Sequence, residues 1–312
     1  MYLDKLQKQT LHKIYKLIKW IISLAALLFI FQKIKHASSS EINYLLVVTI
    51  KLENLKYFFA VFVLMFLNWF LESLKWKIIV SKLQKISIKE AIKGVLTGLS
   101  FGIVTPNRVG EVFGRILLID DDKKLNAGIL NFIGSAMQMS ITLGFGLLSL
   151  LFYKENYFAN VDSSKLLIPI ILMGLAGIVV LFFCFSNIFV RQKLVLILNS
   201  IKEVSIAQLA KIFSLSILRY LVFSFQFLLI LSVFNVQLSM LNSLVCIALN
   251  FLLVTIIPSY ALAEIGIRGT VAVAVFSVYG VAALPVLCAS FILWLINLAI
   301  PALLGSIVLL RE

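Results

Sequence analysis

Two short motifs in the sequence each place a glutamate and an arginine one helical turn apart, a few residues after a proline. In the first motif Glu111 precedes Arg115, and in the second Glu264 precedes Arg268. This i,i+4 spacing puts both side chains of a pair on one face of a helix. Arginine presents a planar, permanently charged fork of hydrogen-bond donors that matches the geometry of phosphate. These residue types at this spacing therefore predict the binding of an anion.

The prolines at the start of the motifs predict that helices end there. Helix ends at Pro106 and Pro258 leave unpaired backbone donors that can contact an anion. Arg108 lies between Pro106 and the first glutamate, so Arg108, Glu111 and Arg115 have the spacing i, i+3 and i+7. We predict that these three side chains share one face, and that Glu111 holds the two arginines in place when no anion is bound.

The two motifs occupy corresponding positions in the two halves of the chain. Glu111 and Glu264 stand 264 − 111 = 153 residues apart in a chain of 312. Broken segments at matching positions in two halves are typical of the binding sites of transporters. The alternative is that the charged pairs lock helices together, and this stays open, above all for the second motif. Gly110 and Gly266 are predicted to permit close packing or a turn rather than to contact an anion.

The composition is typical of a membrane protein with many spans. Hydrophobic residues make up 62% of the chain and charged residues 13%, and the mean hydropathy is +1.07. A soluble chain is about half apolar and about a quarter charged. No segment is long and polar enough to fold as a water-soluble domain, which excludes most enzymes built on soluble scaffolds. We predict an all-α, polytopic membrane helix bundle that forms a single integral membrane domain over residues 1–312.

The basic residues are distributed in a way that predicts topology. The net charge is +14, and most lysines lie at the ends of apolar runs. This is the positive-inside pattern, reinforced by attraction to anionic lipid headgroups, so nucleic acid is not an expected partner. We expect the N-terminus and the lysine-rich segment 75–93 to lie in the cytoplasm, beside a bacterial inner membrane.

Neither a metal site nor a cofactor is predicted. The three cysteines lie within apolar runs and the two histidines flank the first of these runs, with no metal-type spacing. The acidic run at 120–122 lacks the spacing of a calcium loop and is interpreted as a solvated turn.

The apolar runs predict seven or eight membrane spans. The segment 94–106 is too short to span the hydrocarbon and is predicted to enter the membrane and turn back. Gly94, Gly98 and Gly102 recur within it and would let a neighbouring helix approach closely. The short run 241–257 either crosses or turns back. The remaining runs predicted to cross are 20–31, 57–74, 125–152, 166–189, 212–234, 269–279 and 285–310.

The order of the runs indicates two half-repeats around 57–151 and 212–310, joined by 152–211. If both short segments turn back, the halves would form an inverted repeat. Arg219 and Gln226 are secondary candidate site residues inside one predicted span. Arg219 either extends to the membrane surface or faces the bundle interior. We expect a proline, Pro301, to kink the last helix, and the amphipathic linker 191–211 to lie on the membrane surface.

The first motif, preceded by a basic loop and a glycine-spaced helix, resembles the signature of the transmembrane region of lysylphosphatidylglycerol synthases. This family is also called flippase-like or AglD-like, and the resemblance extends from about residue 14 to 310. The family pattern is Pro-x-Arg-x-Gly-Glu, followed by an arginine-bearing helix. The matching residues are Pro106, Arg108, Gly110, Glu111 and Arg115, with a looser second match at Pro258, Glu264 and Gly266.

The resemblance implies movement of a lipid, or of a lipid-linked headgroup, between membrane leaflets. The partners would be membrane lipids, either an anionic phospholipid or a polyprenyl-linked precursor. Arg108, Glu111 and Arg115 would form one half of the headgroup site, and Glu264 with Arg268 the other. The sequence has no part that corresponds to a soluble aminoacyl-transferase domain, so aminoacyl transfer is not expected.

Two other classes of function compete with a lipid flippase or precursor transporter. A membrane-embedded enzyme acting on lipid headgroups would normally show several acidic residues for Mg²⁺, or a histidine base. An accessory subunit would instead organise a partner synthase or glycosyltransferase. The chain contains no phosphate-binding Gly-x-x-x-x-Gly-Lys-[Ser/Thr] motif. ATP could therefore act only through a partner. Because the histidines are peripheral and the one acidic run lies in a predicted loop, we expect a protein that is not an enzyme.

Overall fold

The computed structural model describes residues 51–105, 108–157, 204–257 and 261–310, with a few single positions between 32 and 49. All regular elements in these residues are helical, which confirms the predicted all-α bundle. A π-helical turn, Leu295–Ala299, joins the last two helices, and short 3₁₀ turns occupy Leu52–Asn54 and Asp121–Lys123. The α-helices are α1 Leu55–Val80, α2 Ile88–Val104, α3 Gly110–Ile116, α4 Lys124–Tyr157, α5 Ile206–Val233, α6 Met240–Ile256, α7 Ala261–Ser277, α8 Ala283–Trp294 and α9 Ile300–Leu309.

Four helical stretches of the described chain are long and apolar enough to cross a membrane. The shortest has 27 residues and reaches about 40 Å, against a hydrocarbon thickness of about 30 Å. Helix α6 is apolar but shorter, with 17 residues. The predicted spans 20–31 and 166–189 lie outside the described residues, so the total of seven or eight stays a prediction. The four stretches are Leu52–Val80, Asp121–Tyr153, Ile206–Val233 and Ala283–Leu309.

Several helices differ from the boundaries that the sequence predicts. Helix α5 begins at Ile206, inside the predicted surface linker 191–211, and α7 begins at Ala261, ahead of the predicted start at residue 269. Helix α1 continues to Val80, so Lys75 belongs to the helix and not to a cytoplasmic connection. Helix α2 begins at Ile88, ahead of the predicted start at residue 94. Its start is determined by a capping box, in which Ser87 Oγ accepts from the Glu90 backbone N–H and the Glu90 carboxylate accepts from the Ser87 N–H.

The polar run after the first motif forms the exposed turn that the sequence predicts. Asp120, Asp121 and Asp122 are exposed. The next two lysines close local ion pairs, Lys123 with Asp120 at 2.6 Å and Lys124 with Asp121 at 2.5 Å. This turn leads directly into α4.

Helices α1 and α5 pack in antiparallel fashion along their whole length. Gln226 Nε2 donates to the Val61 carbonyl at 2.8 Å, and near the other end Gln208 Nε2 donates to Ser81 Oγ at 3.1 Å. The end of α1 and the beginning of α5 therefore lie on the same side of the bundle. Most of the buried apolar core lies between α5, α6, α7 and α8, where Phe227 packs against the rings of Phe251 and Phe276.

Helices α2 and α3 form a tight hairpin, because the chain reverses after Thr105. Gly98 and Gly114 bring the two backbones together: a methyl group added to Gly98 would lie 2.7 Å from the Glu111 carbonyl oxygen. The close approach predicted for the glycine-spaced helix is thus made to the short arm of its own hairpin. Pro106 lies outside the described residues.

The two halves of the described chain contain the same order of elements. A helix of 26 residues and one of 17 residues precede the first break, and helices of 28 and 17 residues precede the second. The helix after each break carries a glutamate and an arginine in its first turns, Glu111 with Arg115 and Glu264 with Arg268. An inverted symmetry between the halves stays a prediction.

The last long helix is interrupted where the sequence predicts a kink. Pro301 has no backbone N–H, so it cannot donate to the carbonyl of Asn297 as an α-helix requires. The π-helical turn Leu295–Ala299 ends two residues before this proline. Such turns often occur at functional sites, and this one turns the Asn297 side chain toward a cavity.

Candidate functional site

Three arginines from three separate segments line one cavity inside the bundle. The cavity volume is about 200 Å³, and Arg108, Arg219 and Arg268 all contribute to its wall. Asn68, another lining residue, lies at the midpoint of α1, as Arg219 does in α5. Charged side chains near mid-depth in a membrane are energetically costly and mark a functional site by default.

The first motif contributes Arg108 from an unusual backbone conformation. Its φ angle is +57°, a left-handed geometry that few residues other than glycine adopt. Arg108 precedes α3 rather than lying on it, and its Nη2 forms an ion pair with Glu111 Oε1 at 2.6 Å. A backbone outlier at a charged residue is the kind of strain found at functional sites. Gly110, next to it, packs against the Phe101 carbonyl, as its predicted packing role requires.

The second motif reaches the same cavity from α7. Arg268 donates from Nε and Nη2 to Glu264 Oε1, at 2.8 and 2.5 Å. Glu264 is buried, and its partner Arg268 lines the same cavity as Arg108. The structure therefore brings the two motifs together. Pro258 lies outside the described residues.

Arg115 does not line the cavity. It is buried behind the wall, where its Nη1 donates to Glu72 Oε1 at 2.7 Å and to Asn131 Oδ1 at 3.0 Å. The predicted contact with Glu111 is longer, at 3.5 Å. For Arg115, the structure favours the alternative of a charged pair that locks helices together.

Sequence reasoning missed the carboxylate at the centre of this charged cluster. Glu72 in α1 is 3% exposed and accepts from Lys75 at 2.7 Å, from Arg115 at 2.7 Å and also from Arg219. A signal was present, since an acid inside an apolar run three residues before a lysine is costly unless both are paired. Lys75 is 1% exposed and also approaches the Gly134 carbonyl, so it is not a solvated cytoplasmic residue.

Of the two alternatives for Arg219, the structure shows the one that faces the bundle interior. Besides Glu72, Arg219 contacts Asn68 Oδ1 at 2.8 Å, and its guanidinium carbon lies 5.4 Å from the centre of the Trp69 ring. Gln226, the other secondary candidate, holds α5 to α1 and does not line the cavity.

Several cavity-lining residues carry buried polar atoms without a hydrogen-bond partner in the described part of the chain. The donors among them are the side-chain Nε groups of Trp69, Arg108 and Trp294, and Asn297 Oδ1 is an acceptor. Buried polar atoms in proteins are normally paired, and each unpaired one costs about 1–3 kcal/mol. The cavity wall is thus suited to a polar occupant that accepts hydrogen bonds.

An apolar groove of about 260 Å³ lies next to the polar cavity. Trp69 contributes to both, and Phe66, Phe70 and Leu304, which are partly exposed on the outer surface of the bundle, line the groove. The wall of the cavity is charged, and the wall of the adjacent groove is apolar. The described residues contain no group of three or more histidine, cysteine or acidic side chains that could hold a metal ion.

The helical bundle and its buried charged cavity define a polytopic integral membrane protein. Residues 16–305 match the family described as the lysylphosphatidylglycerol synthase TM region, and the chain belongs to this family. The family is a membrane domain that is often flippase-like. Comparisons with curated proteins and with solved structures gave no match.

Proposed function

We propose that the protein binds the anionic headgroup of a lipid in the arginine-lined cavity and moves that lipid between the two leaflets. The observation that carries the proposal is the meeting of Arg108, Arg219 and Arg268 in one cavity beside the midpoints of α1 and α5. Guanidinium groups form strong, charge-assisted hydrogen bonds to phosphate. A polar site halfway across lowers the barrier that a phosphate faces in hydrocarbon.

The neighbouring groove favours a lipid over a free anion. Trp69 separates a wall of arginines from a surface of Phe66, Phe70 and Leu304. A lipid bound with its headgroup in the cavity would place an acyl or prenyl chain along this apolar groove. Burial of apolar surface stabilises such a complex by roughly 25 cal/mol per Å².

The protein lies in a bacterial inner membrane and acts there without covalent chemistry. The lysine-rich ends of the apolar runs support a bacterial inner membrane with the N-terminus in the cytoplasm. The protein acts here as a transporter, so the lipid leaves with its covalent structure unchanged.

Lipid translocation in proteoliposomes tests this function. Fluorescent phosphatidylglycerol and phosphatidic acid would be followed in vesicles containing the wild type, Arg108→Gln or Arg268→Gln. Each substitution removes charge-assisted hydrogen bonds, and a single one is worth about 1.5–3 kcal/mol, so transfer should slow by about tenfold or more. Lys211→Gln is the matched control, since Lys211 is exposed on the bundle surface.

Three outcomes would contradict the proposal. Equal rates for the wild type and both cavity variants would remove the arginines from the mechanism. Covalently altered lipid, made in proportion to the purified protein, would identify an enzyme instead. Co-purification with a synthase or glycosyltransferase, without any transfer by the protein alone, would favour an accessory subunit.

A further inference from the structure

We propose that the lipid headgroup taken by this cavity carries two negative charges on phosphate, as a phosphomonoester or a diphosphate-linked lipid does, rather than one. This inference rests on the proposed function, in which the cavity binds an anionic lipid, and it specifies the class of that lipid. It follows from the balance of charges around the cavity.

The buried charged network contains more cations than carboxylates. Ion pairs through Glu72 and Glu111 link six of its members, and Arg268, paired with Glu264, lines the same cavity as Arg108 and Arg219. Two further ion pairs of the described residues lie on the exposed turn at 120–124, away from the cavity. The network therefore carries five positive and three negative charges, a net of +2. Its cations are Lys75, Arg108, Arg115, Arg219 and Arg268, and its carboxylates are Glu72, Glu111 and Glu264.

The excess positive charge is directed at the cavity. Glu72 is shared by three cations, one of which, Arg219, lines the cavity. Arg108 and Arg268 each have one close carboxylate, and their side chains are 31% and 22% exposed. The Nε group of Arg108 has no hydrogen-bond partner in the described part of the chain. Donors and charge therefore remain available to an occupant of the cavity.

An occupant with two negative charges would balance this network, and one with a single charge would not. Uncompensated charge in a low-dielectric interior is strongly unfavourable. A phosphodiester headgroup would leave one positive charge unbalanced. A phosphomonoester carries about −1.5 to −2 at pH 7 and presents three strong acceptor oxygens. Those oxygens also suit the indole N–H groups of Trp69 and Trp294, which have no partner among the described residues.

Binding of short-chain lipids with identical tails tests the inference. Full-length protein in a neutral detergent at pH 8 would be titrated with dioctanoyl phosphatidic acid, phosphatidylglycerol and phosphatidylcholine, with native mass spectrometry as the readout. The second negative charge of phosphatidic acid allows additional charge-assisted hydrogen bonds to the arginines. Phosphatidic acid should therefore bind at least about tenfold more tightly than phosphatidylglycerol. Phosphatidylcholine should bind most weakly.

Two variants of neighbouring charged residues on α7 change the net charge of the cavity in opposite directions. Arg268→Gln lowers the net charge to +1, so the preference for phosphatidic acid should fall close to unity. Glu264→Gln raises the net charge to +3, so the preference should persist or increase. Lys211→Gln removes a charge from the exposed surface and should leave the preference unchanged. If a variant does not fold, the comparison of lipids on the wild type still decides the question.

The outcomes separate this inference from the proposed function. Equal binding of phosphatidic acid and phosphatidylglycerol, both tighter than phosphatidylcholine, overturns the inference and leaves the proposed function intact. Equal binding of all three lipids, or of none, overturns the proposed function as well. The protein would also be titrated with inorganic phosphate. If phosphate bound as tightly as phosphatidic acid, the cavity would be a site for the free anion and not for a lipid.

Discussion

Glu72 is the residue on which the charged interior of this protein depends. It is the carboxylate shared by Lys75, Arg115 and Arg219, which come from three helices. Two of these three cations are less than 10% exposed, as Glu72 is. Removing one partner from a buried ion pair leaves an uncompensated charge, so the cost exceeds the net value of the pair itself.

Glu72→Gln should therefore destabilise the protein strongly. The expected loss is about 3–5 kcal/mol, as for other buried ion pairs that lose one partner. Thermal unfolding of detergent-purified protein measures the effect as a lower melting temperature. Asp122→Asn, at an exposed acid, is the control and should leave the melting temperature unchanged.

A double variant distinguishes charge balance from simple loss of a contact. Glu72→Gln combined with Lys75→Met removes one charge of each sign, so its destabilisation should be smaller than the sum of the two single effects. Additive effects, or a melting temperature unchanged by Glu72→Gln, would show that the network is not balanced through Glu72.

Among the structural elements, the hairpin of α2 and α3 positions the first motif. The backbones of its two helices contact each other at glycines. The α3 helix carries Glu111, which pairs with Arg108, and Arg115, which pairs with Glu72. A helix of seven residues has little stability of its own. Packing against the glycine face of α2 is what stabilises it in this position.

Gly98→Ala should open this hairpin. The added methyl group would lie 2.7 Å from the Glu111 carbonyl oxygen and 3.0 Å from Arg115 Cγ. Overpacking of this kind costs about 1–3 kcal/mol, and a shift of Glu111 would also displace Arg108. We expect a lower melting temperature together with weaker lipid binding.

Gly144→Ala provides the matched control within another helix. Apart from the adjoining backbone of its own helix, no described atom lies within 4 Å of the added methyl group. Alanine favours a helix interior over glycine by about 1 kcal/mol. This variant should be neutral or slightly stabilising. If both substitutions had the same effect, the close approach at Gly98 would not be what holds the hairpin together.

For the molecule as a whole, the antiparallel packing of α1 and α5 restricts the topology. Contacts between Gln208 and Ser81 place the end of α1 and the start of α5 on one side of the bundle. The lysines that follow α1 predict that this side faces the cytoplasm. The uncharged loop at 235–239, which follows α5, is then predicted to face outward.

Labelling of single cysteines on intact cells tests this orientation. In a background where Cys184, Cys246 and Cys288 are replaced by serine, Lys82→Cys and Gln237→Cys introduce reactive thiols at exposed positions. A membrane-impermeant maleimide should label Gln237→Cys in intact cells and Lys82→Cys only after the membrane is opened. The reverse pattern would show that the lysine distribution does not set the topology.

The amino-acid sequence was sufficient to predict the class of fold and the chemistry of the motifs. Apolar composition requires helices whose backbone groups are paired internally, and the i,i+4 pairs of glutamate and arginine follow from local helix geometry. The structure places Arg108 and Arg268 in one cavity. The sequence shows only that they stand at corresponding positions in the two halves of the chain.

Long-range packing determines which charged side chains form ion pairs. The spacing of residues along the sequence does not predict these pairings. Glu72 is 43 residues from Arg115 and 147 from Arg219 in the chain, so no helical period connects them. Lys75 resembles its neighbouring surface lysines in sequence, but α1 continues past it and buries it. The net charge of the cavity, and with it the kind of headgroup we propose, depends on these distant pairings, because each buried charge is stabilised only by the partners that the fold brings to it.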